Sequence, residues 1–403
     1  MNGYVLTPRE EILSRLEKLR EKIREANLDA AVVIQNADLF YFTGSIQQGL
    51  LVVPADEEPV YFVRRAFERA VEESSVPSII KIGGPNDVLS YYEGKGVPFR
   101  KVGFELDVLP VASFERFRRI FPSAKAEDIS ASIREIRSVK SPFEASIMKE
   151  CGRKLAVLLD TARRKIRPGL TEMALQGMLQ AEAISGGHTS VIPMRAFNQS
   201  VGLGCVISGE DAALTSFSDT PTTGKGLCPC VPFGHGYRAI GSSEPIIVDL
   251  AWAQGGYLVD MARTYSIGDL PGKLEEAYRI SQEVMRTIEA GIRPGAVTGE
   301  LYETGLAVAG RTRFAANFMG EPGYNTKFIG HGVGIELDEM PFIAKGMRTV
   351  LAPGMTFALE PKFVFPGEGA VGIENSYLVT HDGFEKLTQL SEDIIRCDGQ
   401  GEE

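Results

Sequence analysis

Five residues in the carboxyl-terminal part of the sequence have the types and order of a binding site for two divalent metal ions. They are Asp249, Asp260, His331, Glu360 and Glu374. Each carboxylate lies in or beside an apolar run, where burying a charge is unfavourable unless a cation or hydrogen bonds compensate for it. Carboxylate oxygens and one imidazole suit hard or borderline cations. The sequence therefore predicts a carboxylate-rich dinuclear metal site in a metal-dependent hydrolase.

The first two candidate ligands are predicted to lie on a β-hairpin. Asp249 is in the apolar run ProIleIleValAspLeuAlaTrp (245–252), and Asp260 is in GlyTyrLeuValAspMetAlaArgThrTyr (256–265). A turn at the intervening GlnGlyGly could direct both carboxylates to one point. Two carboxylates at one point repel each other unless a cation lies between them. On this pair alone, two independent aspartates that cap turns stay an alternative.

The surroundings of His331 favour a ligand role. This histidine lies in PheIleGlyHisGlyVal (328–333), and the chain has 4 histidines in 403 residues. The glycines on both sides are expected to let the backbone come close to a bound group. A single histidine is otherwise more often a packed or solvated residue. We expect His188 and His381 to be surface residues.

Glu360 and Glu374 lie at the ends of two further apolar strands. The first strand is in GlyMetThrPheAlaLeuGluPro (354–361) and the second is in AlaValGlyIleGluAsn (370–375). Four inward-facing carboxylates and one imidazole on adjacent strands are not expected to share a protein core without a metal ion.

Together, these segments resemble the pita-bread metallopeptidase superfamily, which includes methionine aminopeptidase, aminopeptidase P, prolidase and creatinase. The family's ligand order of Asp, Asp, His, Glu and Glu is present here. AspMetAlaArgThr (260–264) resembles the family's Asp-x-Thr-Arg-Thr, and the segment 354–361 resembles Gly-Met-x-Phe-x-x-Glu-Pro. The resemblance covers nearly the whole chain. It implies an α+β fold, with a pita-bread catalytic domain and a smaller α/β creatinase-type N-terminal domain.

The amino-terminal part of the chain alternates between predicted helices and strands, which indicates a small α/β domain. The predicted helices cover 8–28, 66–74 and 113–119, and the predicted strands cover 29–35, 48–53, 59–63 and 101–105. The segment AsnAlaAspLeuPheTyrPheThrGly (36–44) most resembles the creatinase-type domain.

A long helix is predicted to begin after Pro142, close to the start of the catalytic domain. We predict the domain limits 1–135 and 136–403. IleArgProGly occurs at 166–169 and again at 292–295, each time after a long amphipathic helix. This repeat favours a second domain that is built from two related halves.

The resemblance implies that two Mn²⁺, Co²⁺, Fe²⁺ or Zn²⁺ ions activate a water molecule, with no other cofactor. Glu360 is implied to accept the proton of that water. The implied activity is that of an Xaa-Pro dipeptidase or aminopeptidase, which cleaves the bond before proline in a small peptide. Relatives are commonly dimers, so we also expect a homodimer.

Three positions depart from the family pattern. Asp338 lies 7 positions after His331, where prolidase-like members have a second histidine. Gly372 lies where relatives often have arginine, so a contact that pairs with a carboxylate is expected to be lost. His235 lies 14 residues before Asp249, closer than the substrate-contacting histidine of relatives. We keep Asp338 and His235 as candidate catalytic residues.

These departures leave two alternatives to a peptidase. The first is a non-peptide C–N hydrolase or lyase on the same scaffold, with Asp338 as a base. The second is a binding protein without catalysis, although such a protein has no need to hold four carboxylates together.

The composition limits partners and location. A net charge of −10 argues against nucleic acid or an anionic membrane as a partner. No apolar run approaches the roughly 18 residues of a membrane helix, and the first residues lack a signal segment. We therefore expect a cytoplasmic protein. The 5 cysteines suit a reducing compartment, and Cys228 and Cys230 could form a redox or metal-binding pair.

Overall fold

The computed structural model describes residues 5–195 and 197–401. The predicted domains begin at residue 1 and end at residue 403, so their outermost residues lie outside the described residues. Their limits stay a prediction. Along the described chain, no helix is both long and apolar enough to cross a bilayer.

The described residues form two compact units. The first unit contains the chain up to Arg137, together with Arg195 and residues 197–199. The second unit contains the other residues from Ser138 onwards. All the candidate metal ligands belong to the second unit.

The first unit contains a six-stranded sheet and six helices among its described residues. In chain order, its elements are α1 (Arg9–Glu25), β1 (Ala30–Val33), α2 (Asn36–Thr43), β2 (Gly49–Pro54), β3 (Val60–Val63), α3 (Phe67–Glu73), β4 (Ser78–Lys81), α4 (Pro85–Lys95), β5 (Lys101–Phe104), α5 (Val111–Arg118), β6 (Lys125–Asp128) and α6 (Ser130–Ser138). The strand order is β4-β3-β2-β1-β5-β6. The predicted helix over 8–28 is confirmed with shorter ends, and it buries Ile12, Leu16, Leu19 and Ile23.

The second unit repeats an arrangement of two helices followed by strands. In chain order, its helices and strands are α7 (Pro142–Lys165), α8 (Glu172–Ser185), β7 (Gly204–Ser208), β8 (Ile246–Gln254), β9 (Tyr257–Ile267), α9 (Gly272–Glu289), α10 (Thr298–Gly310), β10 (Phe328–Val333), β11 (Leu337–Ala344), β12 (Thr356–Leu359), β13 (Lys362–Phe365), β14 (Gly369–Gly372), β15 (Asn375–Val379), β16 (Phe384–Lys386) and β17 (Ile395–Cys397). Each copy of IleArgProGly connects the two helices of one pair. The predicted two-part organisation is therefore visible in the order of the elements.

The start of α7 follows from a complete helix-start signal in the sequence. The hydroxyl of Ser141 accepts a hydrogen bond from the N–H of Glu144 at 3.2 Å, and the Glu144 carboxylate accepts one from the N–H of Ser141 at 2.9 Å. These reciprocal bonds satisfy two N–H groups that the first turn leaves free. Pro142 has no N–H and already has a helical φ. The predicted helix start is confirmed.

The strands of the second unit form two larger sheets and a separate hairpin. The strand orders are β17-β9-β8-β7 and β11-β10-β12-β15-β16, and β13 pairs with β14. The two sheets meet where β9 and β15 approach each other. There the N–H of Glu374 donates to the carbonyl of Ala262 at 3.1 Å, and the N–H of Asp260 donates to the hydroxyl of Ser376 at 3.0 Å. This junction holds Asp260 and Glu374 side by side.

Candidate metal centre

The hairpin of β8 and β9 places Asp249 and Asp260 on one face of the sheet. Asp249 lies opposite Ala262, and Asp260 lies opposite Ala251. Asp249 and Asp260 are therefore diagonal neighbours, and residues two apart along a strand point to the same face. The predicted hairpin is confirmed. Both aspartates lie inside strands, so the alternative of turn caps does not apply.

His331 lies in the middle of β10, between two glycines that serve strand packing. A Cβ on Gly330 would lie 2.3 Å from the carbonyl oxygen of Ala358, and one on Gly332 would lie 2.2 Å from that of Glu339. The glycines therefore let β10 approach β12 and β11 closely. The expectation that they make room for a bound group was wrong, because neighbouring backbone fills this space.

Glu360 and Glu374 lie just outside the strands that carry them. Glu360 follows β12, and its N–H donates to the carbonyl of Ile329 at 2.9 Å. Glu374 precedes β15 and is tied to β9 through Ala262. Both side chains are buried. Neighbouring strands thus fix the backbone at both glutamates, as a precise metal site requires.

A buried arginine fixes the junction between β9 and β15. The guanidinium of Arg263 donates to the carbonyl of Glu374 at 2.6 Å and to the side-chain oxygen of Asn375 at 2.8 Å. It also donates to the carbonyls of Ala262, Leu390 and Ser391. Arg263 therefore positions the backbone of the last candidate ligand.

Three of the five residues surround a space that fits one divalent ion. One ligand atom from each of Asp260, His331 and Glu374 lies within 4.8 Å of the others. Nε2 of His331 lies 3.7 Å from Oε1 of Glu374 and 3.9 Å from Oε1 of Glu360. Oε1 of Glu374 is buried and has no hydrogen-bond partner within the described chain. A buried acceptor without a donor is costly, and a cation bound here would relieve that cost.

The other side of the cluster holds a buried lysine. Nζ of Lys362 lies 2.8 Å from Oδ2 of Asp249, 2.6 Å from Oε2 of Glu360 and 3.1 Å from Oε2 of Glu374. Its residue exposure is 1%. An ammonium has three N–H donors, and each of them has a carboxylate acceptor here.

The sequence reasoning missed Lys362, although the sequence contains a signal for it. Lys362 begins the apolar strand LysPheValPhe, two positions after Glu360. Lysine is almost never fully buried unless it is paired. A lysine in an apolar strand beside a candidate ligand is therefore a signal for an ion pair, although this signal does not identify the partner.

The four carboxyl groups differ in their affinity for a proton. Burial raises the pKa of Asp249 although Lys362 opposes this effect, and burial with the charges of Glu374 and Asp249 raises the pKa of Asp260 well above its usual value. Burial also raises the pKa of Glu360 to about 7. Burial has the same effect on Glu374, but Lys362 and His331 outweigh it and lower its pKa. Of the four carboxyl groups, Glu374 is the one whose pKa is lowered, and it is close to both Lys362 and His331.

Asp338 lies beside the ring nitrogen of His331 that points away from the glutamates. Oδ1 of Asp338 is 3.3 Å from Nδ1 of His331, and the backbone φ at Asp338 is +64°. Burial opposes a charged imidazole, but Asp338 together with Glu374 and Glu360 raises the pKa of His331 well above its usual value. A carboxylate on the second ring nitrogen of a metal-binding histidine orients the ring and increases its basicity. The geometry favours this positioning role for Asp338.

We predict that Asp338→Asn lowers the affinity for a divalent ion about tenfold, because a neutral amide polarises His331 less than a carboxylate does. Asparagine tolerates a positive φ, so the backbone is expected to keep its conformation. Isothermal titration calorimetry with Mn²⁺ measures the affinity. Asp269→Asn changes an exposed carboxylate outside the cluster and is the control. Equal affinities in the two variants would contradict the assigned role.

His235 lies in a loop next to β7, and this loop approaches the part of β7 that pairs with Asp249. A Cβ on Gly234 would lie 3.4 Å from Cβ of Cys205, which is the strand partner of Asp249. The loop is held by the N–H of Gly236, which donates to the buried Glu172 carboxylate at 2.7 Å. Nδ1 of His235 is buried without a hydrogen-bond partner in the described part of the chain, and burial lowers the pKa of the imidazole. A catalytic role for His235 stays a prediction.

The remaining histidines and the cysteine pair lie outside the cluster. His188 is buried against Trp252, and its Nδ1 accepts the N–H of Ser190 at 2.8 Å. The prediction of a surface position for His188 was therefore wrong, because the aromatic contact covers it. His381 is exposed, as predicted. Cys228 and Cys230 are exposed, with their sulfur atoms 3.2 Å apart.

An α+β unit with carboxylates and one imidazole at a strand junction defines a class of metallohydrolases. This chain belongs to metallopeptidase family M24. The model of that family matches residues 146–381, which is more than half of the chain. A model of the creatinase/prolidase N-terminal domain matches residues 15–139. The predicted family is confirmed.

Relatives and solved structures extend over almost the whole chain. The Xaa-Pro dipeptidase of Lactobacillus delbrueckii subsp. lactis is 25% identical over 94% of this chain and 98% of its own length. The uncharacterized peptidase YqhT of Bacillus subtilis is 25% identical over 94% of this chain and 99% of its own length.

Two solved structures have the same fold. The Xaa-Pro dipeptidase from Bacillus anthracis superposes with a TM-score of 0.81 at 24% identity, over 95% of this chain and 99% of that one. The prolidase from Pyrococcus horikoshii superposes with a TM-score of 0.78 at 21% identity, over 94% of this chain and 99% of that one. The predicted α+β pita-bread fold with a creatinase-type N-terminal domain is confirmed.

Proposed function

We propose that this protein is a metal-dependent peptidase that cleaves the bond before proline in short Xaa-Pro peptides. The observation that carries the proposal is the buried cluster of Asp260, His331 and Glu374, with Glu360 beside it, in a member of metallopeptidase family M24. Relatives of similar length are Xaa-Pro dipeptidases, which supports the same substrate class here.

The residues around the cluster would divide the chemical work. A divalent ion held by Asp260, His331 and Glu374 would supply Lewis acidity and a more acidic water molecule. Glu360 would accept the proton of the attacking water, because its carboxylate is buried beside the same histidine nitrogen. Asp338 would hold the imidazole of His331 in its ligand orientation. His235 would contact the substrate.

The donor atoms are oxygens and one imidazole nitrogen, so Mn²⁺, Co²⁺, Fe²⁺ and Zn²⁺ are all suitable ions. The sequence predicts two ions, and the position of Lys362 affects whether the second ion can bind. A small peptide as partner, a homodimer and a cytoplasmic location are part of the proposal.

A panel of Xaa-Pro dipeptides and tripeptides tests the function. The protein is stripped with a chelator, reconstituted separately with each of the four metal ions, and assayed for release of the amino-terminal residue. We expect metal-dependent release, and the chain length of the preferred peptide would separate a dipeptidase from an aminopeptidase. Glu360→Ala serves as the blank, because it lacks the proton acceptor. No release from any peptide, with the metal demonstrably bound, would contradict the peptidase and favour a non-peptide reaction.

A further inference from the structure

Lys362 occupies the space that a second cation would need. Its ammonium lies 2.6–3.1 Å from one oxygen each of Asp249, Glu360 and Glu374. A divalent ion bound to these oxygens would need bonds of about 2.0–2.6 Å. Such an ion would therefore lie in the same volume as the nitrogen atom, and the two cations exclude each other.

The two glutamates point one oxygen to each side of the cluster. Oε2 of Glu360 and Oε2 of Glu374 accept hydrogen bonds from Lys362. Oε1 of each glutamate instead faces Nε2 of His331, at 3.9 Å and 3.7 Å. In a dinuclear centre, two ions about 3.5–4 Å apart are bridged in this way. Here the same two carboxylates connect one ion site to an ammonium group.

Gly372 makes this position of the lysine possible. Lys362 and Gly372 are paired residues on β13 and β14. A Cβ on Gly372 would lie 2.4 Å from Cγ of Lys362 and 2.7 Å from the carbonyl oxygen of Pro361. A side chain at position 372 would therefore displace the lysine stem or the strand. The expected loss of a carboxylate-pairing cation at position 372 is compensated by the cation from the opposite strand.

We propose that the centre binds a single divalent ion, at Asp260, His331 and Glu374, and that the ammonium of Lys362 takes the place of the second. The proposal rests on the proposed function, because it specifies the cofactor of that site. Asp249 then binds Lys362 instead of a metal ion. Lys362 keeps the Asp249 side of the cluster neutralised whether or not the ion is bound.

Metal stoichiometry tests the proposal independently of any peptidase activity. The wild-type chain is saturated with Mn²⁺, freed of excess ion and analysed by mass spectrometry for the metal. We expect about one Mn²⁺ per chain, and about two for Lys362→Gly, in which the ammonium and its stem are absent. Lys345→Gly removes an exposed lysine after β11 and is expected to match the wild type.

Electron paramagnetic resonance gives a second readout. Two Mn²⁺ ions that share bridging carboxylates are spin-coupled, whereas one ion gives an uncoupled six-line spectrum. We expect the six-line spectrum for the wild type and a coupled spectrum for Lys362→Gly. If Lys362→Gly does not fold, Lys362→Ala, which also lacks the ammonium, is analysed in the same way, with the same expected stoichiometry and spectrum.

Each result has one meaning. One ion in the wild type and two in Lys362→Gly would establish the substitution of an ammonium for a metal ion. Two coupled ions in the wild type would overturn it and would leave the proposed peptidase intact. One ion in both proteins would show that Lys362 does not exclude the second. Binding of no ion at all would overturn both this proposal and the metal-dependent function.

Discussion

Replacing Glu360 with glutamine is expected to lower kcat for Xaa-Pro hydrolysis by about 10²–10⁴-fold, which is the usual contribution of a general base. Glutamine has nearly the same shape, and its carbonyl oxygen could still accept the hydrogen bond that Lys362 donates at 2.6 Å. An amide cannot accept the proton of an attacking water molecule. The substitution therefore removes the proton acceptor while it preserves most of the packing.

A matched control separates this chemical effect from a general loss of charge. Glu385→Gln removes a carboxylate from a partly exposed ion pair with Lys149. Such pairs contribute little to stability, about 0–1 kcal/mol. We expect wild-type kcat for this control. A Glu360→Gln variant that binds Mn²⁺ and retains more than about a tenth of wild-type kcat would show that another group accepts the proton.

The strand positions of the candidate ligands could be predicted from the sequence because each candidate lies in a local pattern. Asp249 and Asp260 interrupt apolar runs that flank a glycine turn, and the two runs form β8 and β9. The start of α7 was predictable for the same reason, since Ser141, Pro142 and Glu144 form a complete capping signal. Such signals act over a few residues, so the one-dimensional sequence contains them in full.

The contacts of Lys362 could not be derived from local patterns. Lys362 and Glu374 are 12 residues apart, and Lys362 and Asp249 are 113 residues apart. Strand alternation places Lys362 on the same side as Glu360, but it does not show whether the ammonium points into the site or towards solvent. The space left by Gly372 decides this question, and it arises only when β13 and β14 pair.

Asp338 illustrates a second limit of sequence reasoning. Its place 7 residues after His331 suggested a catalytic base, and that role stays a prediction. The positive φ at Asp338 and the irregular pairing of β10 with β11 bring its carboxylate to Nδ1 of His331. Because a bulge changes the direction of a side chain by local backbone geometry, residue spacing alone does not determine which atom it faces.

Replacing Arg263 with methionine is expected to destabilise the protein by about 3 kcal/mol or more, because several buried acceptors lose their donors. The guanidinium donates to the carbonyls of Glu374, Leu390 and Ser391 and to the side chain of Asn375. Methionine fills part of the space but donates no hydrogen bond. The substitution also removes a buried charge. Burying this charge is unfavourable, and the same burial lowers the pKa of Arg263. Removing the charge therefore offsets part of the lost stability.

Thermal unfolding measures this effect, and metal titration measures its consequence for the site. A loss of about 3 kcal/mol corresponds to a fall in Tm of roughly 6–12 °C for a unit of this size. Arg153→Met removes an exposed arginine whose partner is Glu150, and we expect its Tm to fall by less than about 3 °C. Arg263 holds the backbone of Glu374 against β9. We therefore expect folded Arg263→Met protein to bind Mn²⁺ more weakly than the wild type does. An unchanged affinity together with a lower Tm would mean that the hydrogen bond from the N–H of Glu374 to the carbonyl of Ala262 positions the ligand without the arginine.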